Sequence, residues 1–129
     1  MKLGHVIIYV PDVPAAIAFY ERAFALTCRF VHESDDYGEL ATGDTTLAFA
    51  SEGLSHSNGV DVRPNRAGEQ AAGIEIALVT DTLDAAFERA VAAGAVVVKP
   101  PTTKPWGQVV AWVRDPNGVL VELCTPVGA

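Results

Sequence analysis

Three residues far apart in the chain, His5, Glu75 and Glu122, carry side chains that bind divalent metals or move protons. Glu75 lies between two isoleucines in the strand-like run GIEIALVT, Gly73–Thr80. A buried carboxylate at such a place needs a cation, a metal or a proton to offset its lost hydration. Setting HVIIYVPDV on EIALVTDTL places His5 on Glu75, an offset of 70 positions. Setting GDTTLAFAS on NGVLVELCT places Ala48 on Glu122, an offset of 74. A pseudo-twofold axis relating such halves would bring positions 5, 48, 75 and 122 together. They hold His, Ala, Glu and Glu, and three of the four can ligate a metal.

Elements able to position these residues occur twice. Val13, Ala16, Ile17 and Tyr20 fall on Leu83, Ala86, Phe87 and Ala90, the same amphipathic stripe in both halves. Asp12 or Val13 before Pro14 opens the first helix, Asp81 or Thr82 caps the second, and Gly94 suits its end. Strand-like runs precede each helix, near Leu3–Val10 and Gly73–Thr80. Three more follow each: Cys28–Glu33, Tyr37–Ala41 and Thr45–Ser51, then Ala95–Lys99, Gln108–Arg114 and Val119–Thr125. SDDYG, ATGD, KPPTTKPWG and RDPNG read as the turns between them.

The expected fold is α+β: two βαβββ modules joined as a half-open, barrel-like cup within one domain, 1–129. Module one covers about 1–53, a polar linker about 54–72, and module two about 73–127. His56, Arg63 and Arg66 of the linker could edge the cup or be ordinary surface residues.

Alternation assigns faces. His5, Ile7 and Tyr9 share one, as do Glu75, Ala77 and Val79, and Leu120, Glu122 and Cys124. Thr46, Ala48 and Ala50 are small and leave room for a ligand. Tyr9, Phe49, Trp106 and Trp112 are candidate ligand-binding aromatics, with Tyr37 another wall; the tryptophans could instead pack at an interface. Glu75 and Glu122 could pair with Arg29 or Arg114, or hold raised pKa values and act as catalytic acid or base. Glu33, Asp35, Asp36 and Glu39 read as a solvated turn, with Glu39 alternatively entering the cup.

The 129 residues carry a net charge of −7 and a pI near 4.7, which argues against nucleic acid or an anionic membrane as partner. No apolar run approaches the ~20 residues of a membrane span. The first thirteen residues read as a strand, not a signal peptide. Cys28 and Cys124 match no metal or redox spacing and are expected as buried thiols in a cytoplasmic protein.

HVIIYVPDVPAAIAFYERAF near the start and PWGQVVAWVRDPNGVLVEL near the end resemble the vicinal oxygen chelate superfamily. That group includes glyoxalase I, fosfomycin and bleomycin resistance proteins and extradiol dioxygenases. The resemblance covers essentially the whole chain. It implies a divalent metal in the cup, with His5, Glu75 and Glu122 on three ligand positions and Ala48 on the second, which cannot bind metal. One His with two Glu suits Zn, Ni, Co, Mn or Mg, and disfavours the two-His dioxygenase site. Two functions are then expected: a metal-dependent lyase or isomerase acting on a chelating substrate, or a non-catalytic protein sequestering a drug or metabolite without metal. An acidic protein of the second kind suits basic ligands. The resemblance also implies a homodimer.

Overall fold

The computed structural model describes residues 1–128. The chain divides into two compact units, one ending at Pro64 and the next beginning at Asn65.

In the first unit β1 (His5–Val10) leads into α1 (Val13–Phe24), followed by β2 (Thr27–Val31), β3 (Tyr37–Ala41), β4 (Thr46–Ser51) and α2 (Glu52–Ser57). The strands form one open sheet in the order β1-β4-β3-β2. β1 runs parallel to β4; the other pairs are antiparallel. α1 starts where Asp12 accepts a hydrogen bond from the Ala15 amide, with proline in its first turn, and stops at Ala25 in a left-handed conformation. Its buried stripe includes Val13, Ala16, Ile17 and Tyr20. Tyr20 meets Phe49 with ring centroids 4.9 Å apart. Gly38 packs closely there, since a Cβ would lie 3.2 Å from Ile17 and Ile17 would have to give way slightly. Phe49 and Gly38 pair with each other and face the helix. Their neighbours Ala48 and Glu39, also a pair, face the other way. Phe49 is therefore a core residue beneath α1, fully buried, and not part of a ligand wall.

The second unit repeats the plan: β5 (Glu75–Val79), α3 (Leu83–Ala92), β6 (Val96–Thr103), β7 (Val109–Arg114) and β8 (Leu120–Cys124), in sheet order β5-β8-β7-β6. Ile7 pairs with Ala48 in one unit and Ala77 with Glu122 in the other. Those are the offsets of 70 and 74 read from the sequence, now expressed as ladder register. Each unit is a βαβββ module, and each four-stranded sheet is open rather than closed.

Two expectations change. The segment read as linker from residue 54 begins inside α2, because Ser51 ends β4 and at once caps a helix by accepting from the Leu54 amide. KPPTTKPWG is not one turn: β6 runs through Pro100 and Pro101. β6 is an edge strand, where prolines need not supply a ladder donor, and its register shifts between Lys99 and Thr102 to pass them.

Candidate functional site

The helix-free face of each sheet carries the polar side chains, and each unit gathers its own group. In the first unit the centre is Glu39, which the sequence offered either to a solvated turn or, alternatively, to the cup. It lies inside β3 and is buried. Its Oε2 accepts a hydrogen bond from the Tyr37 hydroxyl at 2.7 Å and lies 3.5 Å from His5 Nε2. Its Oε1 lies 3.7 Å from Arg29 Nη1, and that guanidinium nitrogen also donates to Thr46 Oγ1 at 3.3 Å. Tyr37 responds to this setting. Burial first, then the bond to Glu39 and its charge, push the phenol up to about 12. Tyr9 stands half-buried on the same face as His5, opposite Ala50.

The signal for Glu39 was present in YGELA. Gly38 and Leu40 are its helix-facing residues, so Tyr37 and Glu39 must share the other side. The signal for Arg29 was hidden. Cys28 pairs with Leu40 and Phe30 with Glu39, so two steps on β2 match one on β3 and Arg29 is the extra residue of a bulge.

In the second unit Glu75 and Glu122 share the helix-free face, Glu122 beside Ala77 on one flank and Trp112 on the other. The Trp112 indole Nε1 donates to Glu75 Oε2 at 3.3 Å. The Lys104 ammonium sits over the same indole, 5.3 Å from the ring centre. Burial raises the Glu122 pKa, and the Glu75 charge adds to it, while a hydrogen bond involving Cys124 and the Lys104 charge pull the other way. Burial, with Glu122 and Glu75 nearby, pushes the Cys124 thiol up to about 11. Glu75 thus meets an indole and a second carboxyl instead of the arginines considered from sequence. Arg29 engages Glu39. Arg114 donates to the carbonyls of Gly118, Ala67 and Arg66. Trp106 is largely exposed, its indole donating to the Gln108 side chain.

Among the described residues no group of three His, Cys, Asp or Glu side chains is placed to hold an ion. The position equivalent to Glu122 is Ala48, and the carboxylate beside it, Glu39, already faces a guanidinium that would repel a divalent cation. A separate cavity of about 230 Å³ lies against α2, where His56 approaches Asp61 at 3.4 Å.

The family model described as Glyoxalase/Bleomycin resistance protein/Dioxygenase superfamily matches residues 2–123. A glyoxalase-related enzyme from Fulvimarina pelagi has a similar fold, with TM-score 0.81 and 23% identity over 100% of this chain and 94% of that one. So has a glyoxalase/bleomycin resistance protein/dioxygenase family enzyme from Burkholderia phytofirmans PsJN, with TM-score 0.80 and 20% identity over 97% of this chain and 98% of that one. At these identities the likeness is one of fold. A search of curated proteins found no match.

Proposed function

Because this chain belongs to the glyoxalase/bleomycin resistance protein/dioxygenase superfamily, we propose that it binds a small organic molecule directly on its helix-free sheet faces, without a metal. The observation that carries this reading is the group around Trp112. The Trp112 indole donates to Glu75, which lies beside Glu122, and its ring already carries a cation, the Lys104 ammonium. An organic cation bearing an aromatic ring would meet the same indole and the exposed Glu75 carboxylate. Sequestration of such a compound requires no reaction step, which suits a drug- or metabolite-binding role.

The second reading is a divalent-metal-dependent lyase or isomerase with His5, Glu75 and Glu122 as ligands. The coupling of Glu75 with Glu122 favours it, since two carboxyls on one face can share a proton or a cation. Against it stands Ala48 at the position equivalent to Glu122, which offers no ligand, with the neighbouring Glu39 already facing the Arg29 guanidinium. Titration with phenyltrimethylammonium in the presence of a chelator separates the two. Saturable binding supports the metal-free reading; binding that needs an added divalent ion supports the other.

We also propose a homodimer. The edge strand β6 exposes Val96, Val97 and Val98 in succession, a row that a second copy would cover. Sedimentation as a monomer at micromolar concentration would remove this expectation. Among the described residues no helix is long and apolar enough to cross a membrane. The free thiols Cys28 and Cys124 suit the reducing cytoplasm we propose as its location.

A further inference from the structure

On the helix-free face of the first sheet, the groups open to a ligand are not the carboxylate. The Glu39 side chain is 11% exposed and already faces Tyr37, His5 and Arg29, whereas the His5 and Arg29 side chains are each 52% exposed. Arg29 spends only Nη1 on Glu39 and Thr46; its Nη2 and Nε have no hydrogen-bond partner among the described residues. The β2 bulge puts Arg29 and Phe30 next to each other on this side of the sheet, the re-aiming that such an extra residue allows. Phe30, 44% exposed, and Tyr37 form an aromatic pair with ring centroids 6.0 Å apart and planes at 43°. Ile7, also exposed, extends the apolar surface along the same face.

We infer that this face is a recognition site for an aromatic carboxylate. The Arg29 guanidinium, steadied from below by Glu39, pairs with the ligand's carboxylate, and Phe30 and Tyr37 receive its ring. A guanidinium fork matches a carboxylate in plane and presents two parallel donors. Glu39 is the positioning residue: it takes one side of the fork and leaves the other for the ligand. The protein's net charge of −7 gives no general attraction for anions, so the selectivity is local to these side chains. The repeat provides an internal contrast. The second unit has the same bulge between Val97 and Lys99, with Val98 at the extra position, and Val98 can form no such pair.

This inference rests on the reading that ligands lie on the helix-free faces, but it concerns different side chains from those around Trp112. The test is a titration of the isotope-labelled full chain with benzoate, followed by amide and side-chain NMR, with benzamide as the uncharged control. Saturable shifts confined to β2 and β3, weakened about tenfold or more in Arg29→Gln and only partly in Arg29→Lys, are the expected result. Undispersed spectra for Arg29→Gln would shift the decision to Arg29→Lys and benzamide, each of which must still bind more weakly than the wild-type benzoate complex. Equal affinity for benzamide, equal affinity in the variants, or no shift at all would overturn the assignment. Phenyltrimethylammonium in the same samples reports on Trp112. Its binding with benzoate silent removes this inference alone, and the converse removes the cation reading alone.

Discussion

Glu39 stands directly across the ladder from Ala48, and it fills with a carboxylate the side of the sheet that Ala48 leaves bare. In the second unit the same relationship is inverted: Glu122 occupies the equivalent of Ala48, and the neighbour across the ladder is Trp112. Both units therefore place a carboxyl on the helix-free face, but on different strands and with different company. Glu39 is held by a guanidinium, an imidazole and a phenol, whereas Glu122 lies beside a second carboxyl, Glu75, which itself accepts from the Trp112 indole.

If Ala48 is small to accommodate Glu39, enlarging it should disturb that cluster. Ala48→Leu adds bulk at a fully buried position and is expected to cost about 1–3 kcal/mol in denaturant unfolding. A neutral result would mean that the space beside Glu39 is slack.

Glu39→Gln keeps an acceptor for Tyr37 and removes the charge. The Tyr37 phenol should then titrate below its present value of about 12, yet stay above the ordinary ~10, because burial is the larger cause of its rise. Ultraviolet titration of tyrosinate checks this. An unchanged Tyr37 would show that Glu39 does not hold it.

Glu122 gives a pH dependence of defined sign. Its folded pKa is raised, so folding favours the protonated form more than the unfolded chain does. The associated stability is complete below the unfolded pKa of ~4.3 and is lost as pH rises through the raised folded value. Glu122→Gln should therefore raise Tm by about 1–3 °C near pH 7, with the gap closing toward pH 4. The effect is small because the side chain is only partly buried and water screens it. A gap that widens on acidification would reverse the assignment.

Gly118 turns the chain with φ of +85° beneath the Arg114 guanidinium, and a Cβ there would lie 2.5 Å from Nη2 and 2.6 Å from the Arg66 carbonyl. Gly118→Ala should cost about 2 kcal/mol or more, combining the left-handed strain with loss of the Arg114 bonds to Gly118, Ala67 and Arg66. Thermal unfolding by circular dichroism measures it, and wild-type stability would contradict the clamp.

Much of this architecture could be read from the chain because the two signals it needs are local and repeated. The stripe Val13, Ala16, Ile17, Tyr20 recurs seventy positions later, and alternation separates helix-facing Val6 and Ile8 from His5 and Ile7. What escaped depended on register rather than period. The bulge at Arg29 exists only as a mismatch between two strands, and neither strand alone reveals it. Phe49 was misplaced although its neighbours Ala48 and Ala50 were assigned correctly; alternation alone puts it beneath the helix. Proline punctuation in KPPTTKPWG signals a turn by the ordinary rule, and that rule relaxes at a sheet edge, where β6 runs through both prolines. The pairing of Trp112 with Glu75 joins strands that are not neighbours in the sheet, a relation no sequence pattern encodes.

The central claim, metal-free binding of an organic ligand on the helix-free faces, is tested most directly at the Trp112 indole N–H, because that proton is donated to Glu75. Its NMR signal should shift saturably as phenyltrimethylammonium is added in excess chelator, and the shift should be lost in Glu75→Gln. A signal that stays fixed in chelator, and moves only when a divalent ion is supplied, would contradict the claim and make Glu75 a metal ligand instead.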